Sequence, residues 1–470
     1  MGKGKTEAKT KAMKVVDMTE GSILKHIMIF ALPIFIGNIF QQIYSVVDTM
    51  IAGYCLGDSA IAAIGATSSM YMLIINLAWG MNSGFALVVT RAFGGHDEDR
   101  LRKAIAGTIL LDAVVTVILT ILALLFSKYL MFAMNTPEDI FDEAYKYLLV
   151  ICAGMLATIA YNMFSSILRA VGNSTTPLYF LIFSSILNVI LDFVFVAGLK
   201  MGVAGAALAT IIAELISAVL SGIYFVKNYK PMIPGRKDYM ISGDLMRELV
   251  TNGSAMAFMY SVVDLGSVFF QSANNALADT MGNGVITAHT TARRIIGITM
   301  APLTTITAAG ATFIGQNWGA GKKERVREGL KKETIIVVIM GIAACAIIYA
   351  FGENLVRLIT GSNDNTVISN AVMSLRIHHP FYPLLGILFA LRTTLQAVDI
   401  KMPTVVSSGI ELGMKILAAF LIIPTLGFLG TCITEPIIWT MCAAFLIGVY
   451  CKVRDRLFKN IEVKKEAISV

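Results

Sequence analysis

Apolar residues along this chain fill long stretches of about 20 residues, the length of a helix that crosses a bilayer. Twelve such stretches lie near residues 24–50, 60–90, 104–126, 145–170, 178–199, 203–227, 248–272, 285–314, 333–351, 377–398, 404–426 and 430–452. Polar residues interrupt this background one helical turn apart. Span 178–199 carries Ser185, Asn188 and Asp192 on one face, the opposite side being Val, Ile, Leu and Phe. An aspartate in the middle of a span costs about 2.5–3.5 kcal/mol to insert, so this face is expected against protein or a water-filled cavity. The first span repeats the device with Asn38, Gln41, Ser45 and Asp48; the fourth with Asn162, Ser165, Ser166 and Arg169; the sixth with Thr210 and Glu214. The predicted fold is an all-α membrane protein of twelve transmembrane helices.

The composition agrees. Of 470 residues, 56% are hydrophobic and 15% charged, and the mean hydropathy is +0.73, which excludes a soluble domain of this size. The net charge of +7 does not point to nucleic acid, because Lys and Arg are sorted by side. They precede the first span (Lys3, Lys5, Lys9, Lys11, Lys14, Lys25) and follow the second, sixth, eighth and twelfth, whereas the loop after the third span carries Glu138, Asp139, Asp142 and Glu143. This positive-inside pattern predicts both termini in the cytoplasm of a multi-pass membrane protein. The Lys-rich start runs straight into a full-length span and does not resemble a cleaved signal. The six cysteines lie in or beside spans without ligand-like spacing and read as small core residues. His378 and His379 read as interfacial polar residues, since adjacent helical residues diverge too far to share a metal.

The spans also repeat. At an offset of 225 residues, ALVVTRAFGGHDEDRLRKAI (86–105) meets ATFIGQNWGAGKKERVREGL (311–330), aligning Gly94 with Gly319, Arg100 with Arg325 and Arg102 with Arg327. The same offset pairs Gly202 and Gly205 with Gly427 and Gly430. The match of Tyr44–Asp48 to Tyr260–Asp264 falls at 216 and reads as coincidence. A duplication of six spans predicts two pseudo-symmetric six-helix bundles of the same orientation, with a central cleft. The expected organisation is an N-terminal tail (1–23), an N-lobe (24–227), a linker (228–247), a C-lobe (248–452) and a C-terminal tail (453–470), the tails and linker being cytoplasmic.

Counting residues inward from the outer end of each span places Asp48, Asp192 and Thr210 at one level, roughly 7–11 Å deep, with Asn188 and Glu214 a turn deeper. No basic residue of that half shares the level; Arg169 lies near the other end. Two uncompensated carboxylates cannot both stay charged cheaply, so a proton or a small hard cation is expected, with Asn188 and Thr210 as oxygen co-ligands. Polar packing between helices is the alternative. In the C-terminal half, Asp264, Glu411 and Glu435 have Arg392 and Lys415 as candidate partners, and Glu435 stands at the repeat position of Thr210. Arg392 and Glu435 are also candidates for lining a substrate path, as are Gln41, Asn162, Met163 and Glu214. Methionine is frequent, 25 residues, and its pliable thioether suits apolar ligands, although it also serves ordinary packing.

The stretches QQIYSVVDTMIAG (41–53), LRAVGNSTTP (168–177), NVILDFVFVAGLKMGVAGAALAT (188–210) and GQNWGAGKKERV (315–326) resemble the multidrug and toxic compound extrusion (MATE) family, over all twelve spans. The resemblance implies two six-helix bundles alternating between outward- and inward-open states, exporting cationic or amphipathic organic compounds against a cation gradient. Carried over by motif, Asp48, Asn188, Asp192 and Thr210 form the ion-coupling site for H+ or Na+ (metal ligands if the ion is Na+), with Asn162 a neighbouring polar position. Asp264 matches the family's seventh-helix glutamate in approximate register only. The expected protein is therefore not an enzyme, carries no cofactor beyond its coupling ion, and works in lipid as a monomer on small-molecule substrates, without nucleic acid. Two alternatives stand beside this reading. A flippase of lipid-linked saccharide would need several basic groups in its cavity. A non-transporting regulator would be indifferent to Asp48→Asn and Asp192→Asn.

Overall fold

The computed structural model describes residues 15–133, 136–277, 281–282, 284–361 and 364–466. The lysines at 3, 5, 9, 11 and 14 lie outside them. The described residues fold into helices α1 (Ile23–Leu56), α2 (Asp58–Gly94), α3 (Glu98–Ala133), α4 (Glu138–Ala153), α5 (Met155–Ala170), α6 (Thr175–Asp192), α7 (Val203–Asn228), α8 (Gly243–Ala276), α9 (Gly284–Gly319), α10 (Lys323–Thr360), α11 (Asn365–His378), α12 (Tyr382–Ala397), α13 (Met402–Leu417) and α14 (Phe428–Glu466). Among these residues, ten helices are individually long and apolar enough to cross a membrane. The fourth and tenth of the twelve expected spans are each built from two pieces. The fourth, α4 and α5, bends by 46° at Gly154, where a Cβ would lie 2.3 Å from the Ile211 side chain of α7. The tenth breaks at His379–Phe381 between α11 and α12. Pro380 and Pro383 there remove backbone donors that a continuous helix would use.

The architecture is the all-α, twelve-span, duplicated six-helix fold. Structural landmarks recur at the offset seen in the sequence motifs. Gly57 and Gly282 both have positive φ, at +85° and +82°; His96 and Gly321 follow at +54° and +67°, and Gly202 and Gly427 at +66° and +60°. The bend at Gly154 answers the break at His379, and the π-helical turn at Phe193–Gly198 answers the one at Ala418–Ile422. All five pairs are 225 positions apart. The register that set the YSVVD echo aside as a coincidence is thus the register of the backbone.

Contacts divide the chain into one unit of Met1–Asp17 with Leu32–Ala257 and another of Met18–Ala31 with Phe258–Val470. The division falls ten residues beyond the expected linker, inside α8, and the packing of small residues explains it. Gly80 and Gly84 of α2 form a G-x-x-x-G face that lets helix backbones touch. A Cβ at Gly80 would lie 2.6 Å from Ala257 Cα, and one at Gly84 would lie 2.4 Å from the Asn252 carbonyl. The first turns of α8 are therefore held by the first unit, whose core joins Phe85, Val88, Ile105, Ile167, Phe225 and Leu249.

The expected N-terminal tail is also built in from residue 15. In the first unit Gly172, at φ +87°, comes so close to the Val16 carbonyl that a Cβ would overlap it at 2.2 Å. In the second unit the GQNWGAGKKERV motif grips residues 18–21. Gln316 Oε1 accepts from the Met18 N–H at 3.0 Å, and Arg325 donates to the carbonyls of Met18 at 3.0 Å and Gly21 at 2.9 Å. Lys322 Nζ donates to the Thr19 carbonyl at 2.9 Å. These bonds give the motif a structural task.

The glycine contact yields a stability prediction. Gly84→Val forces side-chain atoms into the α8 backbone and should cost at least about 1–3 kcal/mol, read as a lower melting temperature in detergent. Gly65→Ala, at a helical position with nothing within 4 Å of the added Cβ, should leave melting unchanged.

Candidate functional site

Helix α6 is polar inside and apolar outside. Its buried residues are Thr176, Pro177, Ser184, Asn188 and Asp192, while Phe183, Ile186 and Ile190 are exposed. For a lipid-facing helix this is the expected inversion, since only protein can satisfy the polar face. Asn188 and Asp192 are 1% and 0% exposed. The Asn188 amide donates from Nδ2 to Thr210 Oγ1 of α7 at 3.1 Å, and Thr210 donates to the Ala206 carbonyl at 3.2 Å. The amide nitrogen being engaged, Asn188 Oδ1 is left with no hydrogen-bond partner, as are both carboxylate oxygens of Asp192. From α1, half-buried Asp48 comes within hydrogen-bonding reach of Asp192, and Tyr44, one turn earlier, reaches Thr210. Two ionised carboxylates offer only acceptors, so the aspartate contact becomes a hydrogen bond only when one carries a proton. Among the described residues neither aspartate has an ion-pair partner.

The geometry therefore brings together Asp48, Asp192 and Thr210, the residues set at one level by counting, with Asn188, set a turn deeper. Four oxygen-bearing side chains, two of them acidic, suit a proton or a hard monovalent cation. Among the described residues, no group of three or more His, Cys, Asp or Glu could hold a metal ion. The π turn begins at Phe193, immediately after Asp192; such irregular turns recur at functional sites. Glu214 sits on the same helix as Thr210 but is capped separately: Thr158 donates to its carboxylate, and the Tyr71 hydroxyl lies 3.3 Å from Thr158 Oγ1. Asn162 donates to the Thr158 carbonyl at 2.8 Å. Gln41 is exposed on α1, and Met163 is buried in the core cluster with Phe85 and Ile167.

In the second unit the acids are paired. Glu411 receives Arg392 at 3.4 Å and Lys415 at 3.2 Å, and Arg392 also donates to Ser407 Oγ at 3.0 Å. Glu435 is held by Arg293 of α9 at 2.9 Å, with His378 Nε2 at 3.7 Å. Sequence reasoning missed Arg293, although an arginine pair inside an apolar span was a visible signal. It also missed Asp112, 3% exposed on α3. With the Asn82 amide oriented to satisfy both groups, Asn82 donates to the two Asp112 oxygens at 2.7 and 3.2 Å. A lone acid in the third span was the available clue.

A duplicated twelve-span fold of two six-helix halves is that of a membrane transporter. The MatE family model matches residues 33–194 and 256–421, and the chain belongs to that family. It is 26% identical over 93% of its length to the probable multidrug resistance protein YpnP of Bacillus subtilis, covering 97% of that protein. It is 22% identical over 93% to the multidrug export protein MepA of Staphylococcus aureus, covering 95%. A crystal structure of MATE in the bent conformation superposes with a TM-score of 0.86 at 22% identity, over 97% of this chain and 99% of that one.

The paired acids give a second prediction. Glu411→Gln strands two buried cations, and breaking such a group should cost about 3–5 kcal/mol, measured as a fall in melting temperature. Adding Lys415→Met should restore part of it.

Proposed function

We propose that this chain is a cation-coupled antiporter, driven by H+ or Na+, that exports cationic or amphipathic organic compounds from the bacterial cytoplasm by alternating access. The observation that carries the reading is the buried Asp192 carboxylate, whose two oxygens and the neighbouring Asn188 Oδ1 have no partner while Asp48 stands beside them. Held in low dielectric, that group of oxygens demands a positive charge, and supplying or withdrawing one changes the relative energies of the states that do and do not accept it. The coupling ion binds from outside at Asp48, Asp192, Asn188 and Thr210 and favours release of cargo; its release inside resets the site. To move such an equilibrium from 1:99 to 99:1, the ion must favour one state by about 5.5 kcal/mol.

The names of the relatives, multidrug resistance and multidrug export proteins, support small organic molecules as cargo. The sorting of Lys and Arg supports a plasma-membrane protein with both termini inside. Gln41, Asn162, Glu214, Arg392 and Glu435 are the side chains assigned to the cargo path. Met163, buried in the core, would contribute only by repacking.

The deciding experiment is efflux of a fluorescent cationic dye from proteoliposomes, with a pH gradient or a Na+ gradient imposed separately. One gradient should drive efflux in the parent protein. Asp192→Asn should reduce driven efflux to background, with expression and melting near normal. Efflux by Asp192→Asn that still follows the gradient, or no response of the parent to either gradient, overturns antiport at this site.

A further inference from the structure

A second cluster of ionisable groups, in the other unit, takes no part in the aspartate site. Glu435 of α14 is 7% exposed and accepts from Arg293 Nη1 through Oε1 at 2.9 Å. Its Oε2 faces His378 Nε2, at the end of α11, at 3.7 Å. The His378 ring is buried edge-on to Trp439, with centroids 5.7 Å apart. His378 Nδ1 lies 2.7 Å from the Ser374 carbonyl oxygen. A carbonyl oxygen only accepts, so Nδ1 carries the hydrogen, and in the neutral ring Nε2 is the bare nitrogen. That lone pair points at a carboxylate, with nothing to share. The adjacent His379 shows the satisfied alternative: its Nδ1 lies 2.8 Å from the Leu375 carbonyl, and its Nε2 lies 3.1 Å from the Thr299 hydroxyl, which can donate.

We propose that His378 and Glu435, together with Arg293, form a proton-binding site in the second unit, separate from Asp48 and Asp192. A proton from water is taken up by the Nε2 lone pair, no other bond breaking, and the new N–H donates to Glu435 Oε2 as a charge-assisted hydrogen bond. The imidazolium then competes with Arg293 for the carboxylate. The Arg293 side chain is 42% exposed, so it is the partner free to leave. His379, next along the chain, acts on the ring, and the Tyr382 hydroxyl of α12 acts on Glu435. From α9 come Arg293 and His289, and Lys415 of α13 acts on Glu435. Cys432 of α14 reaches Ser374. On α10, Tyr349 donates to the Arg376 carbonyl, and Glu353 pairs with Arg357. Arg293 and His289 oppose an imidazolium; Glu435 favours it. A role for this proton in coupling rests on the antiport reading, but its binding does not.

The test is a pH titration of ring-nitrogen NMR signals in lipid nanodiscs. The chain has five histidines, and His378→Gln identifies the signal by its loss. At alkaline pH the ring should be the Nδ1–H form, gaining a second N–H as pH falls. Glu435→Gln should move that midpoint down by about one to three pH units, and Arg293→Gln should move it up. Opposite shifts support the site. A ring that stays singly protonated wherever the protein is folded, or shifts that are absent or of the same sign, overturn it. Melting temperature checks folding, and if Glu435→Gln does not fold, the upward shift in Arg293→Gln decides alone. The titration needs no transport, so loss of gradient-driven efflux and failure of this site are separate outcomes.

Discussion

A charge inside a bilayer has no water to fall back on, and the structure of the first unit follows from one place where the chain does not supply a countercharge. Asp192 is fully buried, and the carboxylate beside it is that of another acid, Asp48. Each nearby device keeps oxygen, not nitrogen, facing that group. The Asn188 side chain gives an N–H to Thr210, and Thr210 in turn donates to its own helix. Asn188 Oδ1 and both Asp192 oxygens are left without a partner. Buried acceptors so placed carry a desolvation cost that a positive charge beside them would relieve.

The duplication shows how specific this arrangement is. The backbone features recur in both halves: positive φ at Gly57 and Gly282, a broken helix at Gly154 and His379, a π turn after the fifth span's polar face and again at Ala418. The chemistry does not. At the same offset Asp192 becomes Leu417, Asn188 becomes Gly413 and Asp48 becomes Ala273, whereas Thr210 becomes Glu435. A π turn can thus persist where no acid accompanies it, so the turn belongs to the shape of the half and is independent of the carboxylate.

Much of this was legible in the sequence because bilayer physics leaves few options. Long apolar runs must be spanning helices, and Asn188 with Asp192 one turn apart must share a face. Counting residues from span ends brought Asp48, Asp192 and Thr210 to one level, since helical rise is fixed. What stayed hidden depended on packing between segments distant in sequence. Nothing in Gly80 and Gly84 alone says that they meet Asn252 and Ala257, and so nothing moved the expected boundary into α8. Arg293 was visible as a charge in a span, but its partner lies 142 residues away. The grip of Arg325 on Met18 and Gly21 joins positions more than 300 residues apart, so a family motif could be read without its task.

Asp48 and Asp192 of the first unit and Glu411 and Glu435 of the second are treated in opposite ways, the former pair without countercharges among the described residues and the latter two each with a base. In the second unit Glu411 and Glu435 each have a cation within about hydrogen-bond distance. Glu333 is the exception there: fully buried, with both oxygens unpartnered, it fills the notch left by Gly310, where a Cβ would overlap its carboxyl. A carboxyl so placed acts through its shape in the helix contact. Among the described residues Asp48 and Asp192 have no ion-pair partner, unlike Glu248 of the same unit, which pairs with Arg91 at 2.9 Å. The lack of a countercharge is therefore a local feature of the Asp48–Asp192 pair, in a unit that supplies bases to Glu248 and Asp238.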